Sequence, residues 1–106
     1  MVGYVYILQE WDNAEKRYKI GVSKNEVEKR IKQLATGNSS EIVLVDKYEC
    51  ENYRKVETML HRYFASKHKR GEWFELDDSQ RFEFISKCEE YDKLIKFLIK
   101  ENPFYK

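Results

Sequence analysis

Residues 4–8 read YVYIL, and residues 18–22 read YKIGV. Both runs are rich in the aromatic and β-branched residues that are typical of strands. The polar segment between them contains Asp12 and Asn13, which tolerate the backbone angles of a turn. The pattern predicts two antiparallel strands joined as a hairpin.

A helix is predicted directly after the hairpin. Ser23 and Glu26 match the capping-box pattern S-x-x-E, in which the serine oxygen accepts a backbone amide of the first helical turn. Gly37 suits the end of this helix, because glycine tolerates a positive φ. The apolar residues at helical spacing are Val27, Ile31 and Leu34. We therefore expect a helix that begins at Ser23 and ends near Gly37.

Three further stretches carry secondary-structure signals. Residues 42–45 read IVLV, and this continuous apolar run predicts a strand that is buried on both faces in the centre of the sheet. Apolar residues every three to four positions indicate a second helix over residues 52–67. Residues 72–76 are expected to be extended, and the apolar spacing after residue 79 predicts one or two C-terminal helices.

These elements place the chain in the α+β class, with a small, mainly antiparallel sheet of three to four strands flanked by helices. The length of 106 residues suits one domain. We expect residues 1–76 to form the core of that domain and residues 77–106 to form its C-terminal helical extension.

The composition narrows the functional classes. With 20 Lys and Arg residues against 19 Asp and Glu residues, the chain as a whole is not a strongly basic nucleic-acid binder, so such binding requires a local patch. Cys50 and Cys88 lack the spacing of a zinc site or a disulfide framework, which favours a reducing compartment. Neither a signal-peptide pattern nor an apolar run of membrane-spanning length occurs. We therefore expect a soluble, non-secreted protein without membrane contact.

The two opening runs, followed by Arg30 in the next helix, resemble the signature of the GIY-YIG nuclease superfamily. Residues 57–61, which read ETMLH, and residues 71–74, which read GEWF, are similar to the downstream motifs of its phage and large-virus branch. The resemblance spans roughly residues 3–76 and depends on the order and spacing of the motifs. Two positions depart from the pattern, because Tyr4 replaces the opening glycine and Lys19 replaces the tyrosine of the second motif.

The resemblance implies a metal-dependent DNA endonuclease, in the cytoplasm or nucleus of a host cell, that cuts a phosphodiester by in-line attack of water. Glu57 is the implied ligand of one divalent ion, Mg²⁺ or Mn²⁺, since one or two carboxylates with water and substrate oxygens suffice for such an ion. His61 follows Glu57 by one helical turn and is implied to bind phosphate or to support the metal site. The alternative is a solvated glutamate paired with Arg54 or His61, beside a partly buried histidine.

Three more residues are implied to be catalytic. Tyr6 and Lys19 are both candidates for the group that orients or deprotonates the water, and the sequence leaves the choice open. Arg30 follows Lys19 at the family spacing, and its planar guanidinium suits two phosphate oxygens. The alternative roles are a core aromatic residue, a strand-edge cation and a surface arginine. We expect Tyr6, Lys19, Arg30 and Glu57 to line one concave surface.

A basic segment spans the end of the second helix and the residues after it. Residues 61–70 contain no acid and four formal positive charges, on Arg62, Lys67, Lys69 and Arg70. Such a segment holds nucleic-acid phosphates through charge, although cations are also favoured at a solvated helix C-terminus. Trp73 is expected either to stack on unpaired bases or to anchor the sheet to the helices.

Three function classes therefore stay open on sequence grounds. The first is the endonuclease, with DNA as the expected partner and RNA as an alternative. The second is a catalytically weak or inactive nucleic-acid-binding module of the same fold, and the third is a protein-interaction domain with a partner protein or as a homodimer. Metal dependence separates the first class from the others, and salt-sensitive DNA binding separates the second from the third.

Overall fold

The fold is seen in a computed structural model that describes residues 2–12, 15–35, 41–70, 73–102 and 104. The side chains of residues 12, 15, 30, 33–35, 41, 69 and 70 also lie outside the description. The elements in chain order are β1 (Gly3–Asp12), β2 (Glu15–Ser23), α1 (Val27–Ala35), β3 (Glu41–Cys50), α2 (Tyr53–Tyr63), a 3₁₀ turn (Ala65–Lys67), β4 (His68–Arg70), β5 (Trp73–Phe74) and α3 (Asp78–Glu101).

The five strands form one sheet in the order β3-β1-β2-β5-β4, and each pair of neighbours is antiparallel. The predicted α+β class and the predicted hairpin of β1 and β2 are confirmed. β4 was not predicted, because its sequence of one histidine and two cations lacks the alternation of apolar and polar residues that indicates a strand. None of the described helices combines the length and the apolar character needed to cross a membrane.

The predicted central position of the third strand is wrong. β3 forms an edge of the sheet beside β1, and its Val43 is 45% exposed. β1 has a strand on each side, and Val5, Ile7 and Leu8 within it are fully inaccessible to solvent. The apolar run of β3 therefore marks a strand that is partly covered, whereas β1 takes the position buried on both faces.

The predicted start of the first helix is also wrong. Ser23 pairs with Tyr4 as the last residue of β2, which keeps its backbone extended. Its hydroxyl accepts the amide of Asn25 at 3.2 Å and donates to the Asn25 carbonyl at 3.0 Å, so it closes a local turn instead of capping a helix. α1 begins four residues later, at Val27.

The C-terminal segment forms one helix, α3, of 24 residues. A capping box begins it: the Asp77 carboxylate accepts the Gln80 amide at 2.8 Å, and the Gln80 side chain accepts the Asp77 amide at 3.0 Å. The buried residues of α3 recur every three to four positions and pack toward α2 and β3. They are Phe84, Cys88, Asp92 and Ile95.

The two faces of the sheet pack against different helices, because successive side chains of a strand point to opposite sides. One face holds Val5, Ile7 and Ile20 in a core shared with α2 and α3. The other face holds Tyr6 and Leu8 in a smaller core covered by α1. A side chain of β1 or β2 therefore belongs to one face or the other according to its position along the strand.

Candidate functional site

Glu57 and His61 lie one helical turn apart on α2. The Nε2 atom of His61 lies 2.9 Å from the backbone carbonyl oxygen of Ile20 in β2 and 3.9 Å from Oε2 of Glu57. A carbonyl oxygen only accepts hydrogen bonds, so we assign the imidazole proton to Nε2. The imidazole ring also meets the ring of Phe74 edge-on, with 5.0 Å between centroids. His61 is thus held by both the backbone of β2 and a buried aromatic side chain.

The position of this pair follows from the packing of α2. Val56 and Leu60 are fully buried in the larger core, and Glu57 and His61 each follow one of them in the sequence. One step along a helix turns the side chain by about 100°, which moves Glu57 and His61 from the core to its border with β2. Both side chains are partly shielded, with relative exposures of 19% for Glu57 and 28% for His61.

Tyr6 lies directly across from Gly21 in the pairing of β1 with β2. A Cβ atom at position 21 would lie 2.6 Å from the Tyr6 hydroxyl oxygen, so the phenol ring occupies the space that glycine leaves. Tyr6 is only 1% exposed and packs with Leu8 and Val27. This enclosure is what a core aromatic residue shows, and the role of Tyr6 as a base stays a prediction.

Lys19 pairs with Leu8 on β1 and with Trp73 on β5, so it shares the face of Tyr6. Its Nζ lies 5.9 Å from the centre of the Trp73 ring, and the guanidinium carbon of Arg17 lies 4.6 Å from that centre. Both cations belong to β2, so these contacts lie within the sheet, and anchoring of the sheet to the helices by Trp73 stays a prediction. Base stacking by Trp73 stays a prediction.

Arg17 and Glu10 form an ion pair that the sequence analysis missed. They are cross-strand neighbours in the hairpin, and Nε of Arg17 donates to Oε1 of Glu10 at 3.0 Å. Glu10 is only 2% exposed, so Arg17 compensates a buried carboxylate while it contacts Trp73. Counting outward from the hairpin turn would have revealed this pair.

Tyr6, Lys19 and Glu57 belong to elements that pack on different faces of the sheet. Tyr6 and Lys19 belong to the face that α1 covers, whereas α2 packs against the opposite face. The Glu57–His61 pair reaches β2 at Ile20, the residue that follows Lys19 and precedes Gly21. Lys19 and the Glu57–His61 pair thus approach the same short stretch of β2, and the expectation of a single concave surface stays a prediction.

The other predicted site residues are distributed as follows. Arg30 belongs to α1, and Lys69 and Arg70 belong to β4, but their side chains lie outside the described part of the chain. Arg62 and Lys67 are exposed at the end of α2 and in the turn that follows it. Their predicted contacts with nucleic acid stay predictions.

The family model of the T5orf172 domain matches residues 3–98, from the start of β1 into the second half of α3. The chain belongs to the T5orf172 domain family. This family is associated with phages and is related to nucleases of the GIY-YIG and HNH kinds, which supports a nuclease-like or DNA-binding module. Neither the curated proteins nor the solved structures contain a match to the chain.

The predicted ligand of a divalent ion in this T5orf172 domain is Glu57. Within the described ranges, no three His, Cys, Asp or Glu side chains form a group that would hold a metal by themselves. Magnesium is often held by one or two carboxylates, with water and phosphate oxygens completing its shell. The oxygen chemistry of Glu57 fits such a site, in which the substrate supplies part of the coordination.

A separate polar network joins β3 to α3 in this T5orf172 domain. The Tyr48 hydroxyl donates to Oδ2 of Asp92 at 2.9 Å, and Nζ of Lys96 lies 3.2 Å from the same oxygen. Asp92 is 4% exposed, and burial followed by the hydrogen bond to Asp92 raises the pKa of Tyr48. Cys50 and Cys88 are buried and free, and burial raises the pKa of the Cys50 thiol to about 11. These groups stabilise the fold on the side of β3, away from the described pairing of β2 with β5.

Proposed function

We propose that this T5orf172 domain is a metal-dependent endonuclease of the GIY-YIG type that hydrolyses phosphodiesters in DNA. The observation that carries the proposal is the Glu57–His61 pair, held against the carbonyl of Ile20 within the YKIGV stretch. The pair joins the acidic motif of α2 to the second strand motif, as the site of such a nuclease requires. The family's relation to nucleases supports the same function.

Glu57 has the role of metal ligand in this proposal. The ion, when bound, would supply Lewis-acid stabilisation of the charge on the phosphate and on the leaving oxygen. His61 is held beside this carboxylate, since its Nε2 proton is engaged by Ile20 and its ring is held by Phe74. A ligand that is oriented before substrate arrives loses less conformational freedom on binding.

Lys19 is the favoured candidate for the group that orients water or balances developing charge. Its side chain is half-buried on β2, whereas the hydroxyl of Tyr6 is enclosed between β1, β2 and α1. A positioned cation stabilises the transition state without having to transfer a proton. Arg30 is proposed to contact phosphate oxygens from α1, and Tyr6 to hold the strand pair in shape through Gly21.

The test is nicking of supercoiled plasmid by the purified protein with Mg²⁺ or Mn²⁺. Glu57→Gln should lower the nicking rate by about 10²-fold or more, the usual scale for a group that stabilises transition-state charge. Glu89→Gln, which removes an exposed carboxylate of α3, is the matched control and should leave the rate unchanged. Equal rates for the parent and Glu57→Gln would show that Glu57 does not hold the ion.

A nucleic-acid-binding module without efficient catalysis is the second candidate function. The enclosure of Tyr6 favours this second function, because it indicates that the tyrosine of the first motif packs the core. This candidate predicts salt-sensitive DNA binding by a protein that nicks no plasmid with either metal. A protein that neither binds nor cuts DNA would contradict both candidates.

A further inference from the structure

A basic groove runs along the solvent side of α2. It has a volume of about 290 Å³ and is lined by Arg54, Lys55, Thr58, Met59 and Arg62. Three of these described lining residues are cations, one has a hydroxyl group, and none is acidic. The first turn of α2 also contains no acid. The charge of this groove is local, because positive and negative residues of the whole chain nearly cancel.

The groove borders the Glu57–His61 pair. Arg54, Thr58 and Arg62 recur every four residues and therefore form one stripe along the exposed side of the helix. Glu57 and His61 precede Thr58 and Arg62 by one residue each, so they form the neighbouring stripe, about 100° around the helix and toward β2. A strand of nucleic acid lying on the first stripe passes beside the second.

The size of the groove suits several phosphates in a row. Arg54 and Arg62 are eight residues apart, which corresponds to about 12 Å along a helix axis. One strand of a DNA duplex advances about 3.4 Å along the duplex axis per phosphate, so this length faces about three phosphates. Guanidinium groups offer paired donors to phosphate oxygens, and the ammonium of Lys55 adds a point charge.

We propose that this groove binds the phosphates that flank the cleaved bond and so holds the DNA strand beside Glu57 and His61. That the DNA bond beside the groove is the one cleaved rests on the proposed function, whereas the binding of phosphates by the groove does not. Of the groove residues, only Arg62 belongs to the basic segment recognised in the sequence. Arg54, Lys55 and Thr58 precede that segment, and their signal is the four-residue spacing of the stripe.

The experiment measures binding of fluorescent DNA by anisotropy at several salt concentrations, with EDTA present so that no metal-dependent cutting occurs. Arg54→Gln/Arg62→Gln should weaken binding and lower the salt slope by about 0.9 per lost contact on duplex DNA, or about 0.7 on a single strand. Lys93→Gln/Lys100→Gln removes the same charge from exposed positions of α3 and should leave the slope unchanged. Duplex and single-stranded probes of one sequence show which form the groove holds.

A second pair of variants tests the groove without removing an arginine. Thr58 is exposed in the middle of the stripe. Thr58→Glu places a negative charge between the two arginines and should weaken binding more than the neutral Thr58→Gln. Thermal unfolding followed by circular dichroism checks that all variants are folded.

The outcomes separate this inference from the endonuclease proposal. A reduced slope in the arginine variant alone supports the groove as a phosphate site, even if the parent protein nicks no plasmid. An unchanged slope, an equal loss in the lysine control, or no DNA binding by the parent overturns the groove. The nicking assay with Glu57→Gln tests catalysis independently, because it depends on metal and on a different side chain.

Discussion

At the scale of single residues, the YKIGV stretch gives its residues opposite surroundings. Lys19 shares a face of the sheet with Tyr6 and contacts Trp73. The backbone carbonyl of Ile20 instead accepts a hydrogen bond from His61 of α2. Gly21 has no side chain, and the phenol of Tyr6 fills the vacant space. Any Cβ at this position would push a fully enclosed ring, which explains why glycine suits it.

The role of Lys19 can be tested by removing its charge while keeping its stem. Lys19→Met should lower single-turnover cleavage of DNA by about 10²-fold, because the transition state loses a positioned cation. DNA affinity should barely change. Lys24→Met removes an exposed lysine just beyond β2 and serves as the control. Cleavage by Lys19→Met at the parent rate would mean that Lys19 only contacts Trp73.

At the scale of elements, α3 is joined to β3 through a buried carboxylate. Asp92 accepts from Tyr48 and approaches Lys96, while Oδ1 of Asp92 is buried without a hydrogen bond from the described residues. A buried carboxylate that loses a donor retains its desolvation cost, so this contact between helix and strand is sensitive to substitution.

Tyr48→Phe should lower the free energy of unfolding by about 1–3 kcal/mol, since it leaves the buried carboxylate of Asp92 with one donor fewer. Tyr63→Phe is the matched control: its hydroxyl donates to Glu83 on the exposed surface, where the loss should be within about 0.5 kcal/mol. Urea unfolding of both variants measures the difference. Equal losses would indicate that the Tyr48–Asp92 bond stabilises no more than a surface contact.

The same interface predicts weaker folding at alkaline pH. Burial raises the pKa of Cys50 from its ordinary value near 9 to about 11, and burial also raises the pKa values of Cys88 and Tyr48. The unfolded chain releases these protons at lower pH than the folded chain does. The protonated side chains therefore contribute their full stabilisation of the fold below about pH 9, and this contribution declines as the pH rises toward 11 and beyond.

Urea unfolding of the parent should give a lower unfolding free energy at about pH 10.5 than at about pH 8. These two pH values lie about one to two units on either side of the ordinary thiol pKa. Cys50→Ala removes one of the titrating groups and should reduce this decline. A decline of the same size in Cys50→Ala would assign the alkaline effect to the other buried groups.

At the scale of the whole molecule, α3 completes the core that α2 and the sheet begin. Phe84, Cys88 and Ile95 are buried in the same cluster as Val5, Ile7 and Leu60 of the preceding elements. Burying a large apolar side chain stabilises a fold by about 1.5–3 kcal/mol, and whole domains are stable by only about 5–15 kcal/mol. The core therefore depends on the C-terminal helix.

A fragment of residues 1–76 should consequently fail to unfold cooperatively, since it exposes the surface that α3 covers. A fragment that ends at Asn102, beyond the last residue of α3, is the control and should unfold like the full chain. Circular dichroism during urea unfolding distinguishes the two fragments. A cooperative transition of residues 1–76 at the parent midpoint would make α3 a separable addition.

Local sequence patterns predicted most of the secondary-structure elements of this protein. The β1–β2 hairpin, the residues of α2 and the helical character after residue 79 were all predicted, because alternation and helical spacing are properties of neighbouring residues. The motif residues of the site were also selected from the sequence, although the structure leaves their catalytic roles as predictions. Glu57 and His61 were correctly placed on one side of α2, since residues four apart on a helix are neighbours.

The way in which these elements pack together follows from the folded chain alone. It placed β3 at an edge, moved the start of α1 from Ser23 to Val27, and packed α1 and α2 on opposite faces of the sheet. Strand order and the face that a helix covers depend on which apolar surfaces fit together across long stretches of chain, and a local pattern contains no record of that choice. For the same reason, the contact between His61 and the Ile20 carbonyl, 41 residues apart, became visible only in the folded chain.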